Sequence, residues 1–339
     1  MASLGSGLPD VIVRHRDAIE QALKDALAID ASPLAGPARY VMGWEDAEGQ
    51  PLESGGKRIR PALALVAAGL FTEDARAGIP AAVAIELIHN FSLVHDEIQD
   101  HDDVRHGRPT AYTVWGAGQA INLGDFMYGR AIRALSESGA EPAHCVRAMA
   151  VLMRAVEGMI AGQWRDISFE AREGVSVDEY IEMIQGKTGV LLGASLEMGA
   201  ILGGAAESES ATLGRWGTRL GLAFQAIDDY LGIWGDGALT GKTTTGDIAR
   251  RKKTLPIIHA MSQPVAGGVI RTIYSEGTQI ERYGEVVTAL EAAGADALCR
   301  DMARRFANEA SEMVETLELD DDSRETLQSV GEYFCQRDF

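Results

Sequence analysis

Cysteine, proline and basic residues are scarce in this 339-residue sequence, and the shortages exclude several classes of protein. The three cysteines, at positions 145, 299 and 335, form no CxxC pair, so neither a zinc knuckle nor a disulfide framework is indicated. Lysine and arginine number 31 against 50 acidic residues, a formal charge of −19, which argues against nucleic acid as a partner. The cysteine usage predicts a reducing, cytoplasmic location.

The sequence also has no stretch that we interpret as a targeting or membrane-spanning segment. Its first residues lack a basic start followed by an apolar run, the pattern of a signal peptide. The nearest approach to a span, residues 188–206, is interrupted by Glu197 and predicts a buried helix. We therefore predict no integral membrane span.

Apolar residues make up 46% of the sequence, and they recur at helical spacing over long stretches. Strand signals are weak, so we predict an all-α protein. Ser176 and Glu179 have the spacing of a capping box. The predicted helices cover residues 10–28, 60–70, 80–99, 117–138, 142–163, 177–202, 210–234, 254–261, 265–273, 284–293 and 296–317, with a last one near 323–334.

Two acidic clusters each end an apolar helical stretch. In the first, Asp96 and Asp100 are four residues apart and share one helix face. The second, Asp228-Asp229, follows 132 residues after Asp96. Mg²⁺ favours one or two protein carboxylates completed by water and phosphate oxygens. The pattern favours facing carboxylates around a shared cation cluster; two unrelated solvated helix ends are the alternative.

Basic residues are concentrated in three segments of this acidic chain. Residues 55–61, GGKRIRP, combine glycines with three cations and suit a phosphate grip, although the Walker A spacing is absent. Residues 105–110, RHGRPT, follow the first acidic cluster closely. Residues 241–256 carry further cations after the second cluster. Taken alone, each segment is also explained by a solvated charged loop.

In order and spacing, these motifs resemble the trans-isoprenyl diphosphate synthases, the polyprenyl synthetase family. Segments 55–61, 96–110, 224–236 and 241–256 match the family's GGKxxRP motif, its two aspartate-rich motifs and its later Gly-Lys and Lys-x-Thr-Leu-Pro elements. The resemblance covers about residues 40–335. It implies a single-domain, all-α helical bundle of the isoprenoid synthase type around a central active-site cavity. We place this domain at residues 36–339, preceded by a helical extension at 1–35.

The resemblance implies a Mg²⁺-dependent prenyltransferase that condenses isopentenyl diphosphate with a C5–C15 allylic diphosphate to give a linear, all-trans prenyl diphosphate. Small-molecule prenyl diphosphates are the implied partners, and a homodimer is the implied assembly. About three Mg²⁺ ions per site are implied with substrate bound, with Mn²⁺ as a substitute.

The family's functional residues map onto matching positions of this sequence. Those implied to bind isopentenyl diphosphate are Lys57, Arg60, His89 and His106, and those for the allylic diphosphate are Arg105, Lys187, Gln225, Lys242 and Lys252. Those implied to bind metal are Asp96, Asp100 and Asp228, and those implied to stabilise the developing cation are Lys187, Thr188 and Gln225. Gln163 and Asp166 fit an element that lines the cavity.

Three positions depart from the family pattern. Glu97 and Gly232 replace aspartates, and His106 replaces the second arginine after the first acidic motif. A neutral histidine donates one hydrogen bond where arginine offers a fork, so the last change bears on isopentenyl diphosphate affinity. We hypothesise that Arg108 substitutes for the missing arginine and that Asp236 partly compensates for Gly232.

The residues before the first acidic motif bear on product length. Phe91, five residues before Asp96, lies about 7–8 Å deeper along a helix, and Ser92 is small and on the face of Asp96. An aromatic residue at only the deeper position resembles the archaeal-type C20 synthases. Geranylgeranyl diphosphate is therefore favoured over farnesyl diphosphate.

Two other functions remain open at this point. A class I terpene cyclase shares the fold, but it needs no isopentenyl site, and Asn308 and Ser311 lack the spacing of the usual cyclase metal motif. A non-catalytic regulatory subunit of a hetero-oligomeric synthase usually loses its acidic motifs, which this chain keeps.

Overall fold

The computed structural model describes residues 8–29, 32–52, 56–172, 174–235, 248, 251–276 and 282–335. Within these ranges one short hairpin is the only sheet, so the predicted all-α class is confirmed. The helices are α1 Asp10–Val13, α2 Arg16–Ala26, α3 Ala35–Val41, α4 Ile59–Gly69, α5 Ile79–Gln99, α6 Ala111–Trp115, α7 Ala117–Ser136, α8 Pro142–Glu170, α9 Val177–Ile184, α10 Val190–Gly203, α11 Glu207–Trp234, α12 Leu255–Ser262, α13 Pro264–Glu276, α14 Tyr283–Ala292, α15 Ala295–Glu315 and α16 Asp321–Cys335.

The chain divides into two compact units, the first comprising residues 1–156 and 194–214 and the second residues 157–193 and 215–339. In the first unit, α5 packs against α4 and α7. Small residues bring the backbones of α4 and α10 together: a Cβ on Gly199 would lie 2.1 Å from the carbonyl oxygen of Ala64. Helix α5 thus packs against α4, which is itself tightly packed against α10.

Residues Ala75–Gln99, which include α5, are the one described segment long and apolar enough to span a membrane. The prediction that residues 188–206 come nearest to a span is wrong, because the helix within them, α10, covers only Val190–Gly203. Of the most apolar 18-residue stretch in this segment, 67% is buried inside the protein. The segment therefore has the character of a core helix.

The N-terminal helices pack within the first unit. Helix α1 contacts α4, α2 contacts α4 and α5, and α3 contacts α7. The indole of Trp44 donates a hydrogen bond to Glu20 Oε2 at 2.8 Å. The domain boundary that we placed at residue 35 stays a prediction.

The second unit has its own core, in which α9, α11, α12 and α15 meet. Leu222, Ile258 and Phe306 are each at most 2% exposed there. Helix α9 begins with the predicted capping box: Ser176 Oγ accepts from the Glu179 backbone N–H at 3.2 Å, and Glu179 accepts from the Ser176 N–H at 2.9 Å.

The structure splits two of the predicted helices and lengthens a third. The predicted helix 10–28 breaks between α1 and α2, and the predicted helix 177–202 is interrupted by a π-helical turn, Gln185–Gly189. A π turn inserts one residue without ending the helix, so apolar periodicity does not reveal it. Helix α8 continues to Glu170, seven residues past its predicted end.

Candidate active site

The end of α5 presents two carboxylates on one face. The backbone N–H of Asp100, the residue that caps the helix, donates to the carbonyl oxygen of Asp96 at 2.8 Å. Asp96 and Asp100 are both partly exposed. His101 then takes a left-handed conformation, φ 54°, which turns the chain away from the helix. The predicted pairing of the two acids on one face is thereby supported by the local geometry.

Glu97, the first departure from the family pattern, is buried. Its side chain lies 3.9 Å from Arg105 Nε, measured from Oε1. Burial raises the pKa of Glu97, while the charge of Arg105 and a backbone N–H lower it. The longer side chain thus contacts Arg105, whereas Asp96 and Asp100 remain accessible.

A two-stranded hairpin follows, formed by β1, Val104–Arg105, and β2, Arg108–Pro109. Its two turn residues, His106 and Gly107, both have positive φ, 50° and 76°. This combination is typical of a type I′ turn. The structure therefore places His106 at the exposed tip of the hairpin.

Arg108, the proposed substitute for the missing arginine, is engaged elsewhere. Its guanidinium donates to the carbonyl oxygens of Tyr40 and Glu45 at 3.3 and 2.9 Å. It also lies over the Tyr40 ring, 4.1 Å from the centroid. These contacts attach the hairpin to the α3 region, and they weigh against the hypothesis that Arg108 binds substrate.

The three cations of the 55–61 segment have different environments. Arg58, at the N-cap of α4, is buried and bonds Glu20 and Glu86 at 2.7 Å each and the Met42 carbonyl oxygen at 2.9 Å. Lys57 is exposed. Arg60 is part-buried, and its side chain contacts His89. Lys57 and Arg60 thus remain candidates for binding a phosphate group, whereas Arg58 pairs with carboxylates of the protein itself.

Arg60 and His89 form a defined pair. Arg60 Nη1 lies 3.3 Å from His89 Nε2. Because a guanidinium only donates, Nε2 accepts and the neutral ring carries its proton on Nδ1. Burial, followed by the charges of Arg60, Arg105 and Arg58, holds the pKa of His89 well below its usual value. Positive charge is therefore concentrated around a neutral imidazole.

Phe91 is 9% exposed and packs against two rings. It meets His95 and Tyr128 edge-to-face, with centroid distances of 4.8 and 5.5 Å. The hydroxyl of Ser92 donates to the His89 carbonyl oxygen at 2.7 Å. Tyr128 was not predictable from the sequence, because its contact with Phe91 joins α7 to α5 across 37 residues.

In the second unit, the π turn presents Lys187 and Thr188. Lys187 Nζ lies 2.6 Å from Asp166 Oδ2, which places the predicted cavity residue Asp166 beside the predicted catalytic lysine. Glycines allow close backbone approach: a Cβ on Gly162 of α8 would lie 2.3 Å from the Lys187 backbone nitrogen. The π turn is therefore seated directly on the backbone of α8. π turns are frequent at functional sites.

Thr188 and Gln225 are brought together as predicted partners in one site. Thr188 Oγ1 donates to Gln225 Oε1 at 3.3 Å, and Gln225 Nε2 donates to Asp229 Oδ1 at 2.9 Å. Asp229 is 3% exposed, whereas Asp228 is partly exposed. The two neighbouring acids thus differ: Asp228 is accessible to a ligand, and Asp229 lies inside the protein.

Burial is the largest influence on Asp229 and raises its pKa to about 7. Hydrogen bonds from Tyr180, Gln225 and the Leu255 N–H oppose that rise, and the charge of Asp228 adds to it. Helix α11 continues through Gly232, the second departure, to Trp234. Asp236 and Lys242 lie outside the described residues.

Of the later cations, Lys253 caps α8. Its ammonium donates to the carbonyl oxygens of Phe169, at 2.5 Å, and of Arg172. The neighbouring Lys252, the predicted diphosphate ligand, is half-buried. Thr254 N-caps α12, and Pro256 stands in its first turn, where no backbone N–H is needed.

No group of three or more His, Cys, Asp or Glu side chains gathers into a metal site in the described part of the chain. The predicted ligands are carboxylates, the hard oxygen donors that Mg²⁺ prefers. A Mg²⁺ site built from one or two carboxylates and substrate phosphates needs no such protein cage. The residues present therefore fit Mg²⁺, and the assignment of Asp96, Asp100 and Asp228 stays a prediction.

A model of the family described as polyprenyl synthetase matches residues 46–291, well over half of the sequence. The chain belongs to the polyprenyl synthetase family. The (2E,6E)-farnesyl diphosphate synthase of Mycobacterium bovis is 36% identical over 305 residues, covering 88% of this chain and 84% of that protein. A geranylgeranyl diphosphate synthase of Mycobacterium tuberculosis is 40% identical over 262 residues, covering 77% and 74%.

Solved structures agree with the family assignment. A polyprenyl synthetase from Streptomyces coelicolor A3(2) superposes with a TM-score of 0.90 at 37% identity, covering 96% of this chain and 98% of that one. A Caulobacter crescentus CB15 polyprenyl synthase, complexed with calcium and isoprenyl diphosphate, gives 0.82 at 27% identity, covering 98% of each. The isoprenoid synthase fold is thus confirmed, and this polyprenyl synthetase family member is a trans-prenyltransferase of isoprenoid biosynthesis.

Proposed function

We propose that the protein condenses isopentenyl diphosphate with an allylic diphosphate of five to fifteen carbons to give a linear, all-trans product, geranylgeranyl diphosphate ahead of farnesyl diphosphate. One observation carries this proposal. The Nε atoms of Arg60 and Arg105 are buried, and no acceptor in the described part of the chain bonds them. Buried donors without acceptors are costly, and an anion relieves that cost.

We assign the homoallylic diphosphate to Lys57, Arg60 and His89. Arg60 brings an unsatisfied donor, and Lys57 is exposed to receive a phosphate oxygen. His89 has Nδ1–H as its donor, because Nε2 accepts from Arg60. His106, at the tip of the hairpin, takes the position of the family's second arginine and offers one hydrogen bond where arginine offers two.

Asp96, Asp100 and Asp228 are the residues that we assign to Mg²⁺, about three ions per site with substrate bound. When bound, the metal supplies charge neutralisation for the leaving diphosphate. Arg105, Lys187, Lys242 and Lys252 are assigned to the allylic diphosphate. The Caulobacter relative is complexed with calcium and isoprenyl diphosphate, which supports a divalent cation and a prenyl diphosphate as the ligands.

Thr188 and Gln225 are assigned to the organic cation that forms as the allylic C–O bond breaks. Gln225 Oε1 and the Thr188 hydroxyl are neutral dipoles, and fixed dipoles stabilise charge that develops in the transition state without reorganising. The double bond of isopentenyl diphosphate then attacks C1 of the allylic partner, and the resulting cation loses a proton to the departed diphosphate.

The product assay tests the proposal directly. Purified protein with Mg²⁺ and labelled isopentenyl diphosphate is given C5, C10 or C15 allylic primers, and dephosphorylated and hydrocarbon extracts are analysed by mass spectrometry. A linear C20 alcohol is the expected result, and a C15 alcohol would move the product to farnesyl diphosphate. A cyclic hydrocarbon from an allylic diphosphate alone, or no product from any mixture, would contradict the proposal.

Phe91 sets the product length in this proposal. Phe91→Ala removes the ring that meets Tyr128, and we expect products longer than those of the unmodified enzyme by at least one five-carbon unit. Tyr128→Phe is the matched control, because it keeps the ring contact and loses only the hydrogen bond to Met153 Sδ. An unchanged product from Phe91→Ala, measured by mass spectrometry, would assign the cavity floor to another residue.

The exposed face of α8 supports a homodimer. Ile160, Trp164 and Ile167 recur at helical spacing and are 53%, 77% and 40% exposed. A contiguous apolar stripe on a chain of charge −19 is costly in water, and a second copy would cover it. We therefore propose that α8 takes part in a symmetric dimer contact.

Trp164→Glu is expected to shift the protein from dimer toward monomer, because it buries a carboxylate in an apolar contact. Light scattering coupled to gel filtration measures the change at several protein concentrations. Val265→Glu is the control, since Val265 is 82% exposed on a different helix, α13. A dimer that survives Trp164→Glu unchanged would place the interface elsewhere.

A further inference from the structure

The structure assigns a positioning role to Asp229, the buried neighbour of the proposed metal ligand Asp228: we infer that it fixes the side-chain amide of Gln225 with the oxygen toward Thr188. This inference rests on the proposed function, because it concerns the dipoles assigned to the organic cation.

Both oxygens of the Asp229 carboxylate accept hydrogen bonds from protein donors. Asp229 Oδ2 accepts from the Tyr180 hydroxyl at 2.5 Å and from the Leu255 backbone N–H at 3.1 Å. Its Oδ1 accepts from Gln225 Nε2 at 2.9 Å. Three protein donors thus converge on a side chain that is 3% exposed. Asp229 is thus held by the protein, and the neighbouring Asp228 is partly exposed.

The hydrogen-bond partners of the Gln225 amide determine its orientation. The oxygen and nitrogen of a glutamine side chain are distinguished only by their partners. Asp229 and Gln225 are four residues apart on one face of α11, so the two side chains meet. All three hydrogen bonds at Asp229 are bonds that its ionised form accepts, and toward that form the Gln225 atom facing it is Nε2 and the opposite atom is Oε1. Oε1 therefore accepts from Thr188 Oγ1, at 3.3 Å.

The hydrogen bonds from Thr188 to Gln225 and from Gln225 to Asp229 all run in one donor-to-acceptor direction. Because the Thr188 hydroxyl donates to Gln225, its own lone pairs point elsewhere. One buried carboxylate thus sets the direction of the amide and hydroxyl dipoles. Dipoles fixed in this direction favour a positive charge beside their oxygens. Burial raises the pKa of Tyr180 well above its usual value, so Tyr180 keeps its proton and stays a donor.

Asp229→Asn tests the inference because it reverses this polarity with almost no change of shape. The Leu255 N–H is a fixed donor, so the oxygen of the introduced asparagine must face it, and the asparagine nitrogen then faces Gln225. In response, Gln225 presents its oxygen to the asparagine and its nitrogen to Thr188. We expect kcat to fall about 100-fold, the size of effect seen when one fixed dipole is removed from an active site.

The compensating variant distinguishes positioning from mere structure. When Asp229→Asn is combined with Gln225→Glu, the asparagine nitrogen donates to the introduced glutamate, which again accepts from Thr188. The net charge of the pair is that of the wild type. We expect kcat to recover at least about tenfold over Asp229→Asn. The KM for isopentenyl diphosphate, which is assigned to other residues, is expected to stay within about twofold in all variants.

Tyr180→Phe is the matched control. It removes one donor to Asp229 but leaves the contacts with Gln225 and the Leu255 N–H. A purely structural carboxylate predicts that Tyr180→Phe and Asp229→Asn lower turnover and thermal stability alike. The positioning role predicts that turnover falls in Asp229→Asn and stays within about threefold of wild type in Tyr180→Phe.

A measurement without turnover separates this inference from the proposed function. The side-chain amide signals of Gln225 are identified by NMR through their loss in Gln225→Glu. In the wild type one amide proton bonds a buried carboxylate and is expected to exchange slowly; in Asp229→Asn the signal is expected to move and to exchange faster. Unchanged Gln225 signals in Asp229→Asn would overturn the inference whatever the product assay shows, as would wild-type kcat in an active enzyme.

Discussion

Asp96→Ala and Asp228→Ala are each expected to lower kcat about 1,000-fold while the helical fold persists. Metal ions at a leaving phosphate contribute several kcal/mol of transition-state stabilisation, and each 1.36 kcal/mol is a factor of ten. Asp96 stands on the last turn of α5 and Asp228 on α11, both partly exposed. Neither carboxylate fills a core position, so the loss is expected in turnover rather than in folding.

The control for this prediction removes an acid from the same region without touching the proposed ligands. Asp103→Asn keeps an acceptor for the Tyr112 hydroxyl, which bonds Asp103 at 2.6 Å. Its turnover is expected to stay near that of the wild type. If Asp103→Asn is as damaging as Asp96→Ala, the general negative charge of the region matters rather than specific ligands.

Metal binding can also be followed without turnover. Addition of Mg²⁺ and inorganic pyrophosphate is expected to raise the thermal midpoint of the wild type, because ligands that bind only the folded state stabilise it. Asp96→Ala is expected to lose that increase. An increase of wild-type size in Asp96→Ala and Asp228→Ala, together with near-normal kcat, would refute the metal assignment.

The acidic clusters were predictable from sequence because the rule that governs them is local. Residues four apart on a helix share a face, and the capped end of α5 places Asp96 and Asp100 accordingly. The long apolar helices follow from the same periodicity. Their order and the motif spacing were enough to indicate the family, which the family match and the superposed structures then confirmed.

The environment of each cation was not predictable in the same way. Arg58 and Arg60 are two residues apart in one basic segment, yet Arg58 is buried against two carboxylates and Arg60 contacts His89. The partners of Arg58 lie 38 and 28 residues away. Sequence spacing cannot reveal which cation finds a buried carboxylate.

The different environments of the second acidic pair were also not predictable from the sequence. Asp228 and Asp229 are adjacent and identical in type, and both follow one apolar stretch. Their different environments arise because Tyr180 and Leu255 approach α11 from α9 and α12. The π turn at Lys187 was not predictable from sequence for a related reason. It is accompanied by glycines that let α8 approach the backbone of the turn closely.

The second large effect is expected in stability. Arg58→Met is expected to lower the free energy of unfolding by about 3–5 kcal/mol, the usual result of removing one partner from a buried ion pair. Glu86 is 5% exposed and would be left without its cation. The side chain also bonds the Met42 carbonyl oxygen, so three contacts to different parts of the first unit are lost at once.

Backbone geometry adds to this effect. Arg58 has a φ of 49°, in the left-handed region that non-glycine residues seldom adopt. Such a conformation persists when surrounding contacts enforce it, and here the contacts belong to the arginine side chain. Their loss is expected to loosen the start of α4, where Lys57 and Arg60 stand on either side. Activity should therefore fall together with stability.

The loss of stability should depend on pH. Burial raises the pKa of Glu20, but its bonds to Arg58 and Trp44 and the charges of Arg58 and Arg16 outweigh that effect, so the pKa lies below the ordinary value of 4.5. Stability from this lowered pKa is present above about pH 4.5 and is lost as the pH falls through the folded-state value. The difference in the free energy of unfolding between wild type and Arg58→Met should thus become smaller at acidic pH.

Urea unfolding of wild type and Arg58→Met from about pH 3 to about pH 8 measures the difference in unfolding free energy between them. Arg133→Ala is the control, because it breaks an exposed pair with Glu137 and is expected to leave the midpoint unchanged at every pH. Adding Glu86→Gln to Arg58→Met should recover part of the loss, since no unpaired charge then remains at that position. If Arg58→Met unfolds at the wild-type midpoint, the ion pairs of Arg58 with Glu20 and Glu86 do not stabilise the protein. The structural role that we assign to Arg58 would then be wrong.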